Sequence, residues 1–274
     1  MNMAGTECEE CGRPATERTI AGRRFALCDR CNDRLLVQIA LDDRILEIVK
    51  LSKINPSEAI RILDDIQNNY RDIDHDGWLD RSIRSQRALI FMQHGRHKDA
   101  LAELRAIERC LKEGSEAFAE NKHSIANVLA CSGKPREAIH EIELALDSRE
   151  HLPMETLVGL LTAYARIASK QGWTIPAGYQ STFERAVREW GMLVSSEFVS
   201  SDLTQAILLA ASQRLAAQDR YVALLEELRG KPSDVRARLL REFIEAEPVG
   251  YFRDQARRSL DGGEAPEGME QEEG

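Results

Sequence analysis

Four cysteines, arranged as two Cys-x-x-Cys pairs near the start of the chain, constrain its fold more than any other feature. Cys8 and Cys11 form the first pair, and Cys28 and Cys31 form the second pair, with sixteen residues between them. Each pair points two sulfur atoms at one position, and four thiolates supply the tetrahedral coordination that zinc prefers. Single pairs are often redox-active or incidental, but two pairs at this spacing favour a metal site. We therefore predict one bound Zn²⁺ ion.

The predicted role of this ion is structural. Four cysteines close the coordination sphere, so no position is left for an activated water molecule. The residues between the pairs are enough for a short β-hairpin turning at Gly22, and a helix is expected to begin between Cys28 and Asn32. The N-terminal dipole of that helix would stabilise thiolates in its first turn. This order of knuckle, hairpin and helix is that of a treble clef, and a module this small folds only with its metal.

Residues 7–36 resemble the N-terminal zinc-binding domains of ClpX-type unfoldases and the zinc modules of McsA-type proteins. The resemblance rests on the paired cysteines, the short hairpin between them and the run Leu27-Cys28-Asp29-Arg30-Cys31 at the start of the helix. In those families the domain docks adaptors or mediates self-association. The resemblance therefore implies docking, with self-association through the zinc module as one form of it. It does not extend to the ATPase, so that activity is not implied.

The rest of the chain has the pattern of a helical protein. Aromatic residues make up only 5% of the sequence, and the apolar residues are mainly Ala, Leu and Ile, which favour helix over strand. From about residue 33, apolar residues recur every three or four positions, which predicts one apolar stripe along a first long helix. The residues of this stripe are Leu35, Leu36, Ile39, Ala40, Ile45, Leu46 and Val49. Regularly placed Gly and Pro residues divide the remaining sequence into helical segments. We predict a mostly α fold with about a dozen helices and no strand outside the hairpin.

An internal repeat with an offset of 38 residues is visible in this helical part. Residues 88–104 align with residues 126–142, and the matched positions are a small residue, a bulky one, a turn glycine and a second small residue. In the first copy these are Ala88, Phe91, Gly95 and Ala100. A fainter third copy passes through Ala165, Gly172 and Ala177, and Ala59 marks a degenerate first copy. The pattern favours antiparallel helix pairs, although an irregular helical bundle can also produce it.

This repeat resembles the tetratricopeptide repeat (TPR). It departs from the family in its offset, in the residues after the turn glycine and in lacking the closing proline. In that family the first helix of each pair lines a groove for a partner peptide, which implies a partner-binding face at Ser85, Leu89, Met92, Gln93, His123, Asn127, Cys131, Thr162, Arg166 and Lys170. Arg166 and Lys170 would suit a carboxylate or an acidic segment, whereas the alternative for each residue is an ordinary solvated helix face.

Charge and composition suggest the domain organisation and the compartment. We expect a four-cysteine zinc-binding module over residues 1–35, a TPR-like helical repeat domain over 36–260 and a disordered acidic tail over 261–274. The tail holds six acidic residues and no basic one, and the whole chain has a net charge of −9. This charge disfavours general nucleic-acid binding. Neither a leader peptide nor a membrane-spanning stretch is expected, and the cysteine pattern suits the cytoplasm.

Several motifs of catalytic or ion-binding proteins are incomplete in this chain. Residues 72–80 resemble a calcium loop, but Ile83 stands where a bidentate carboxylate is needed, so Asp74 and Asp76 are expected to be turn and N-cap residues. A zinc-protease helix would need a second histidine where Leu144 stands. Neither a phosphate-binding loop nor a nucleophile elbow occurs. We expect His94 and His97 to cap a helix turn or face solvent, and we expect no enzymatic activity.

The function predicted from these observations is that of an adaptor. A structural zinc head and a TPR-like groove would bind protein partners through the groove, the zinc hairpin or both. The alternative is a nucleic-acid-associated regulator, in which the arginines of the zinc module contact phosphates. Those arginines are Arg13, Arg18, Arg23, Arg24, Arg30 and Arg34. An enzyme would require a polar pocket assembled from residues that are distant in sequence.

Overall fold

A computed structural model describes residues 7–9, 11–20, 23–74, 77–192, 199 and 202–262. These residues contain one two-stranded antiparallel sheet and eleven α-helices. The prediction of a mostly α fold with a small β-hairpin near the start is therefore confirmed. The chain divides into two compact units, residues 1–111 and residues 112–274.

The hairpin of the first unit consists of β1 (Thr16–Ile20) and β2 (Arg23–Leu27). The strands pair in antiparallel register from Thr16 opposite Leu27 to Ile20 opposite Arg23. The predicted turn residue Gly22 lies outside the described residues.

Four helices complete the first unit, and they are α1 (Asp29–Ser52), α2 (Pro56–Tyr70), α3 (Trp78–Gln93) and α4 (His97–Glu108). α1 packs on α2, α2 on α3, and α3 on α4. The start of α2 follows directly from its sequence: the Asn55 side chain accepts a hydrogen bond from the Glu58 backbone N–H at 3.2 Å, and Pro56 occupies the first turn.

The core of the first unit brings together apolar side chains of α1, α2 and α3. Its buried members are Val37, Ile48, Ala59, Ile62, Leu63, Ile66, Leu79, Ile83 and Ile90. The stripe predicted along α1 is wrong in part, because Leu36 is 48% exposed whereas Val37 and Ile48 are buried. Spacing alone did not fix which side of α1 faces α2. The side chains of Ala40, Ile45 and Leu46 lie outside the described set.

The second unit contains seven of the described helices, and they are α5 (Glu116–Cys131), α6 (Pro135–Leu146), α7 (Met154–Gln171), α8 (Gln180–Trp190), α9 (Leu203–Leu228), α10 (Ser233–Ala246) and α11 (Gly250–Gly262). α5 packs against both α6 and α7, and α6 also packs against α7. α7 in turn contacts α8 and α9, and α10 packs on α11.

The turns that end several helices share one geometry. At the end of α3, the Arg96 N–H bonds to the Phe91 carbonyl and the Gly95 N–H to the Met92 carbonyl. Gly95 has φ +70°, a left-handed conformation that suits glycine. The equivalent bonds at the end of α5 run from Lys134 to Leu129 and from Gly133 to Ala130, and Gly133 has φ +79°. The two aligned segments therefore form helical hairpins with the same turn.

The repeat weakens outside these two hairpins. Gly172 ends α7 with the same left-handed turn, and Ala165 is fully buried, as the third copy requires. Ala177, however, is exposed and lies in a short 3-10 turn that precedes α8, so the second helix of this copy starts later than predicted. Ala59 is fully buried in α2, which agrees with its small size and close packing.

The predicted domain boundaries do not coincide with breaks between helices. Residue 35 lies inside α1, so one continuous helix carries Cys31 and also reaches the core of the first unit. Residue 260 lies inside α11, and residues 263–274 of the predicted acidic tail lie outside the described residues. Among the described helices, none combines the length and the apolar character that crossing a bilayer requires.

Candidate metal centre and helical face

The two Cys-x-x-Cys pairs meet in space. The Sγ atoms of Cys8, Cys11, Cys28 and Cys31, called the cysteine quartet below, all lie within 4.8 Å of one another. The Cys11 and Cys28 sulfurs are 3.6 Å apart. Four sulfurs at about 2.3 Å from one tetrahedral ion would be roughly 3.8 Å from each other. The quartet can therefore hold one metal ion.

Backbone hydrogen bonds shape the first pair into a tight knuckle. The Gly12 N–H bonds to the Cys8 carbonyl at 2.8 Å, and the Cys8 N–H bonds to the Arg13 carbonyl at 2.7 Å. Gly12 has φ +70°, which a residue with a side chain rarely adopts. Glu9 then ties the knuckle to β2, because its backbone N–H bonds to the Ala26 carbonyl and its carboxylate accepts the Ala26 N–H.

The second pair is placed by the hairpin and by the first turn of α1. Cys28 follows β2 directly and is the N-cap residue of α1, and the Asn32 N–H bonds to the Cys28 carbonyl at 3.0 Å. Arg18 of β1 forms an ion pair with Asp29, which joins the hairpin to the start of α1. The predicted order of knuckle, hairpin and helix is thus present, with the helix beginning at Asp29.

A metal ion that binds the quartet must displace thiol protons. Burial, followed by hydrogen bonds with the Cys11, Cys28 and Cys8 thiols, raises the pKa of the Cys31 thiol to about 12. A metal ion binds the thiolate form, so binding at this site releases protons and weakens as the pH falls. Because four protein sulfurs would fill all four tetrahedral positions around one ion, the arrangement fits a structural ion.

The residues predicted to bind a partner fall into two groups, one in each unit. In the first unit, α3 presents the exposed side chains of Ser85, Leu89 and Gln93, with Met92 half-buried beside them. In the second unit, the predicted residues lie on α5 and α7, which pack against each other, and together they are named the α5–α7 face: His123, Asn127, Cys131, Thr162, Arg166 and Lys170.

On the α5–α7 face, the positive charge of Arg166 lies close enough to His123 to affect the pKa of its imidazole. Burial, followed by the nearby positive charge of Arg166, lowers the pKa of His123 from its ordinary value of 6.5. Gly159 of α7 lies against the imidazole, and a Cβ at that position would be in van der Waals contact with His123 Cε1 at 3.6 Å. Arg166 and Lys170 are both exposed, one helical turn apart. At neutral pH this part of the face therefore carries two cations beside an uncharged imidazole.

The calcium-like segment is a helix cap. One carboxylate oxygen of Asp74 accepts the Leu79 N–H and the other accepts the Asp80 N–H, both at 2.9 Å. The predicted turn role of Asp74 is confirmed, whereas Asp76 lies outside the described residues. His94 is the C-cap residue of α3, as predicted, and its Nε2 also lies 2.7 Å from the Ser52 carbonyl at the end of α1.

One buried polar interaction of the second unit has no signal in the sequence. Lys122 Nζ donates a hydrogen bond to Glu141 Oε2 at 2.7 Å, and both side chains are almost fully buried. The two residues are 19 positions apart on different helices, so spacing within one helix could not reveal them. This pair joins α5 to α6 and supports the helix that carries His123.

Comparison of the chain with protein-family models, with curated proteins and with solved structures gives no match.

Proposed function

We propose that this chain is a non-enzymatic adaptor of the cytoplasm, with a single structural zinc ion in the cysteine quartet and a TPR-like helical face that binds a protein partner. The convergence of four thiols on one position supports the metal. Zinc is the best candidate because four thiolates in tetrahedral geometry suit it, and a reducing compartment keeps them free of disulfides.

Support for partner binding comes from the α5–α7 face. Helical hairpins with matched turns place α5 beside α7, which is how the first helices of neighbouring TPR pairs lie. The exposed side chains of Asn127, Arg166 and Lys170 project from these two helices. Two cations one turn apart favour a partner segment that carries carboxylates.

The alternative of nucleic-acid binding by the zinc module has weaker support. Of its six arginines, Arg18 forms the ion pair with Asp29, and Arg13, Arg30 and Arg34 are gathered around one cleft. Phosphate binding to a duplex or strand needs cations spread along an accessible surface.

The adaptor proposal is tested by recovering partners of the full-length chain from its native cytoplasm and comparing variants. We expect the double variant Arg166→Glu, Lys170→Glu to lose at least one specific protein that the wild type retains. The double variant Lys231→Glu, Arg241→Glu makes the same change in charge at two other exposed positions of the second unit and is expected to retain it.

The zinc module is tested in the same experiment with Cys28→Ser. Loss of a partner in this variant alone would place docking on the zinc module. Recovery of an identical set of proteins by the wild type and all variants would contradict the adaptor proposal.

A further inference from the structure

The α5–α7 face continues toward the first turns of both helices, where it carries negative charge. Glu116 lies in the first turn of α5 and Glu120 one turn later, and both side chains are exposed. Glu116 faces α7, because its Oε1 accepts a hydrogen bond from the Thr156 hydroxyl at 3.3 Å. Partial burial, followed by the negative charge of Glu116, raises the pKa of Glu120, and no positive charge opposes that shift. We call these two carboxylates the acidic end of the face.

The opposite end of the same face carries positive charge. Arg166 and Lys170 form this cationic end, and no ion pair between described residues involves either of them. His123 connects the two ends, because its imidazole lies against Gly159 of α7 and close to the charge of Arg166. One surface formed by two adjacent helices thus has carboxylates at one end and cations at the other.

The distance between the two ends fits a short extended peptide. Thr156 contacts the acidic end, and Lys170 lies 14 positions later on α7, which is about 21 Å along the helix axis. An extended chain advances about 3.3 Å per residue, so about seven residues span the face. Between the ends, Asn127 is exposed and Thr162 is half-buried. Their polar groups can pair with backbone N–H and C=O groups, which an extended segment leaves free and a helix does not.

We infer that the α5–α7 face binds an extended partner segment of about seven residues, which places basic side chains at the acidic end and carboxylates at the cationic end. This inference rests on the proposed adaptor function and specifies the partner that this face takes. A uniformly acidic segment would bring like charges together at Glu116 and Glu120, and a uniformly basic one would do so at Arg166 and Lys170. The charge pattern therefore selects for a segment that carries both signs.

The test uses the full-length, zinc-loaded chain and fluorescein-labelled heptapeptides with two lysines at one end, two glutamates at the other and uncharged residues between them. Both orders of the charges are made, since the face does not fix the direction of the bound chain. At low ionic strength, fluorescence anisotropy is expected to show saturable binding of at least one order. Heptapeptides with four glutamates or with four lysines should bind at least about tenfold more weakly, because one end of each meets a like charge.

Variants of the chain assign each charge of the peptide to one end of the face. The double variant Glu116→Gln, Glu120→Gln should weaken binding by about tenfold, the effect of losing two exposed charge pairs. The double variant Arg166→Gln, Lys170→Gln should weaken it to a similar extent. When the peptide lysines are replaced by glutamine, the first variant should cause no further loss, whereas the second still should.

Matched controls remove the same charges elsewhere in the second unit and should leave the affinity unchanged. They are the double variants Glu226→Gln, Glu227→Gln and Lys231→Gln, Arg241→Gln, all at exposed positions. Equal losses in the controls and in the variants of the face would overturn the inference. Binding of the four-glutamate peptide as tight as that of the mixed peptides, or no saturable binding, would overturn it as well.

Failure of this inference and failure of the adaptor proposal give different results. Partner recovery that is lost in Arg166→Glu, Lys170→Glu but unchanged in Glu116→Lys, Glu120→Lys would keep the adaptor and overturn the segment of mixed charge. A dimer seen by sedimentation and lost in both of these variants would assign the face to a second copy of the chain and would also overturn it. Peptide binding that depends on both ends, with identical proteins recovered by all variants, would contradict the adaptor proposal alone.

Discussion

Lys122 and Glu141 form an ion pair with a nitrogen–oxygen distance of 2.7 Å, and their side chains are only 5% and 8% exposed. The pair joins the middle of α5 to the middle of α6, and the Lys122 ammonium also lies 5.1 Å from the centre of the Phe118 ring. Charges this deeply buried must stay together, because removing either one would leave the other buried without its oppositely charged partner.

Lys122→Met is therefore expected to destabilise the second unit by about 3–5 kcal/mol, since it leaves the Glu141 carboxylate buried without its cation. Lys134→Met is the control, because Lys134 and Glu137 form an exposed pair in which the side chains are 52% and 58% accessible. That change should cost less than about 1 kcal/mol. Urea unfolding measures the loss in free energy of unfolding for each variant. Equal losses would contradict a special role for the buried pair.

Cys28→Ser should reduce the zinc affinity of the chain by at least about 100-fold, because losing a ligand costs no less than losing a group that orients one. Native mass spectrometry should show one zinc ion on the wild type and none on this variant. Cys110→Ser alters an exposed cysteine outside the quartet and should keep the ion. A wild-type chain that carries no metal yet shows protected amides throughout β1 and β2 would refute the structural role of zinc.

The stability of the second unit should fall as the pH drops below 6.5. The pKa of His123 is lower in the folded chain than its ordinary value of 6.5, so below that pH the unfolded chain binds more protons and is favoured. The contribution is present above 6.5 and is lost as the pH falls through the folded pKa. Unfolding free energies at pH 7.5 and pH 5.5 should thus differ less in His123→Asn than in the wild type.

NMR titration of His123 separates the two causes of its shifted pKa. Arg166→Gln should raise the pKa of His123, because a neighbouring positive charge is removed, but the value should stay below 6.5 because burial is the larger cause. Lys170→Gln should leave it unchanged, since Lys170 is not among the charges that shift this group. A larger change from Lys170→Gln than from Arg166→Gln would be inconsistent with the geometry of the α5–α7 face.

Gly133→Ala should destabilise the chain by about 1–2 kcal/mol, the cost of placing a side chain in a left-handed backbone conformation. Gly133 has φ +79° and no neighbouring atom within 4 Å of an added Cβ, so backbone strain is the whole expected effect. Gly178 has similar open space without a positive φ, and Gly178→Ala should be neutral or slightly stabilising. Thermal unfolding measures both variants, and equal behaviour would argue against the shared helix-ending turn.

The parts of the structure that local patterns determine could be predicted from the sequence. Two Cys-x-x-Cys pairs with sixteen residues between them predicted both the convergence of the quartet and the hairpin between the pairs. Gly95 and Gly133 predicted the turns of two helical hairpins, because glycine is the residue that adopts the left-handed conformation without strain.

The parts that depend on packing between distant segments could not be predicted. The periodicity of α1 included Leu36, which is exposed, and missed Val37 and Ile48, because the buried side of a helix is decided by the neighbour it meets. Trp78 of α3 lies beside Arg34 of α1, and no local motif connects these two residues. Such juxtapositions follow from tertiary packing alone.

The uninterrupted course of α1 from Asp29 to Ser52 has a thermodynamic consequence. About 26 Å of helix, at 1.5 Å per residue, connects Cys31 of the cysteine quartet in its first turn to Ile48 in the hydrophobic core. Because one helix joins the two sites, an ion bound at the cysteine quartet stabilises the folded first unit by mass action. At a free metal concentration one hundred times the dissociation constant, this linkage contributes about 2.7 kcal/mol. The abundance of the folded first unit would then follow the supply of the metal.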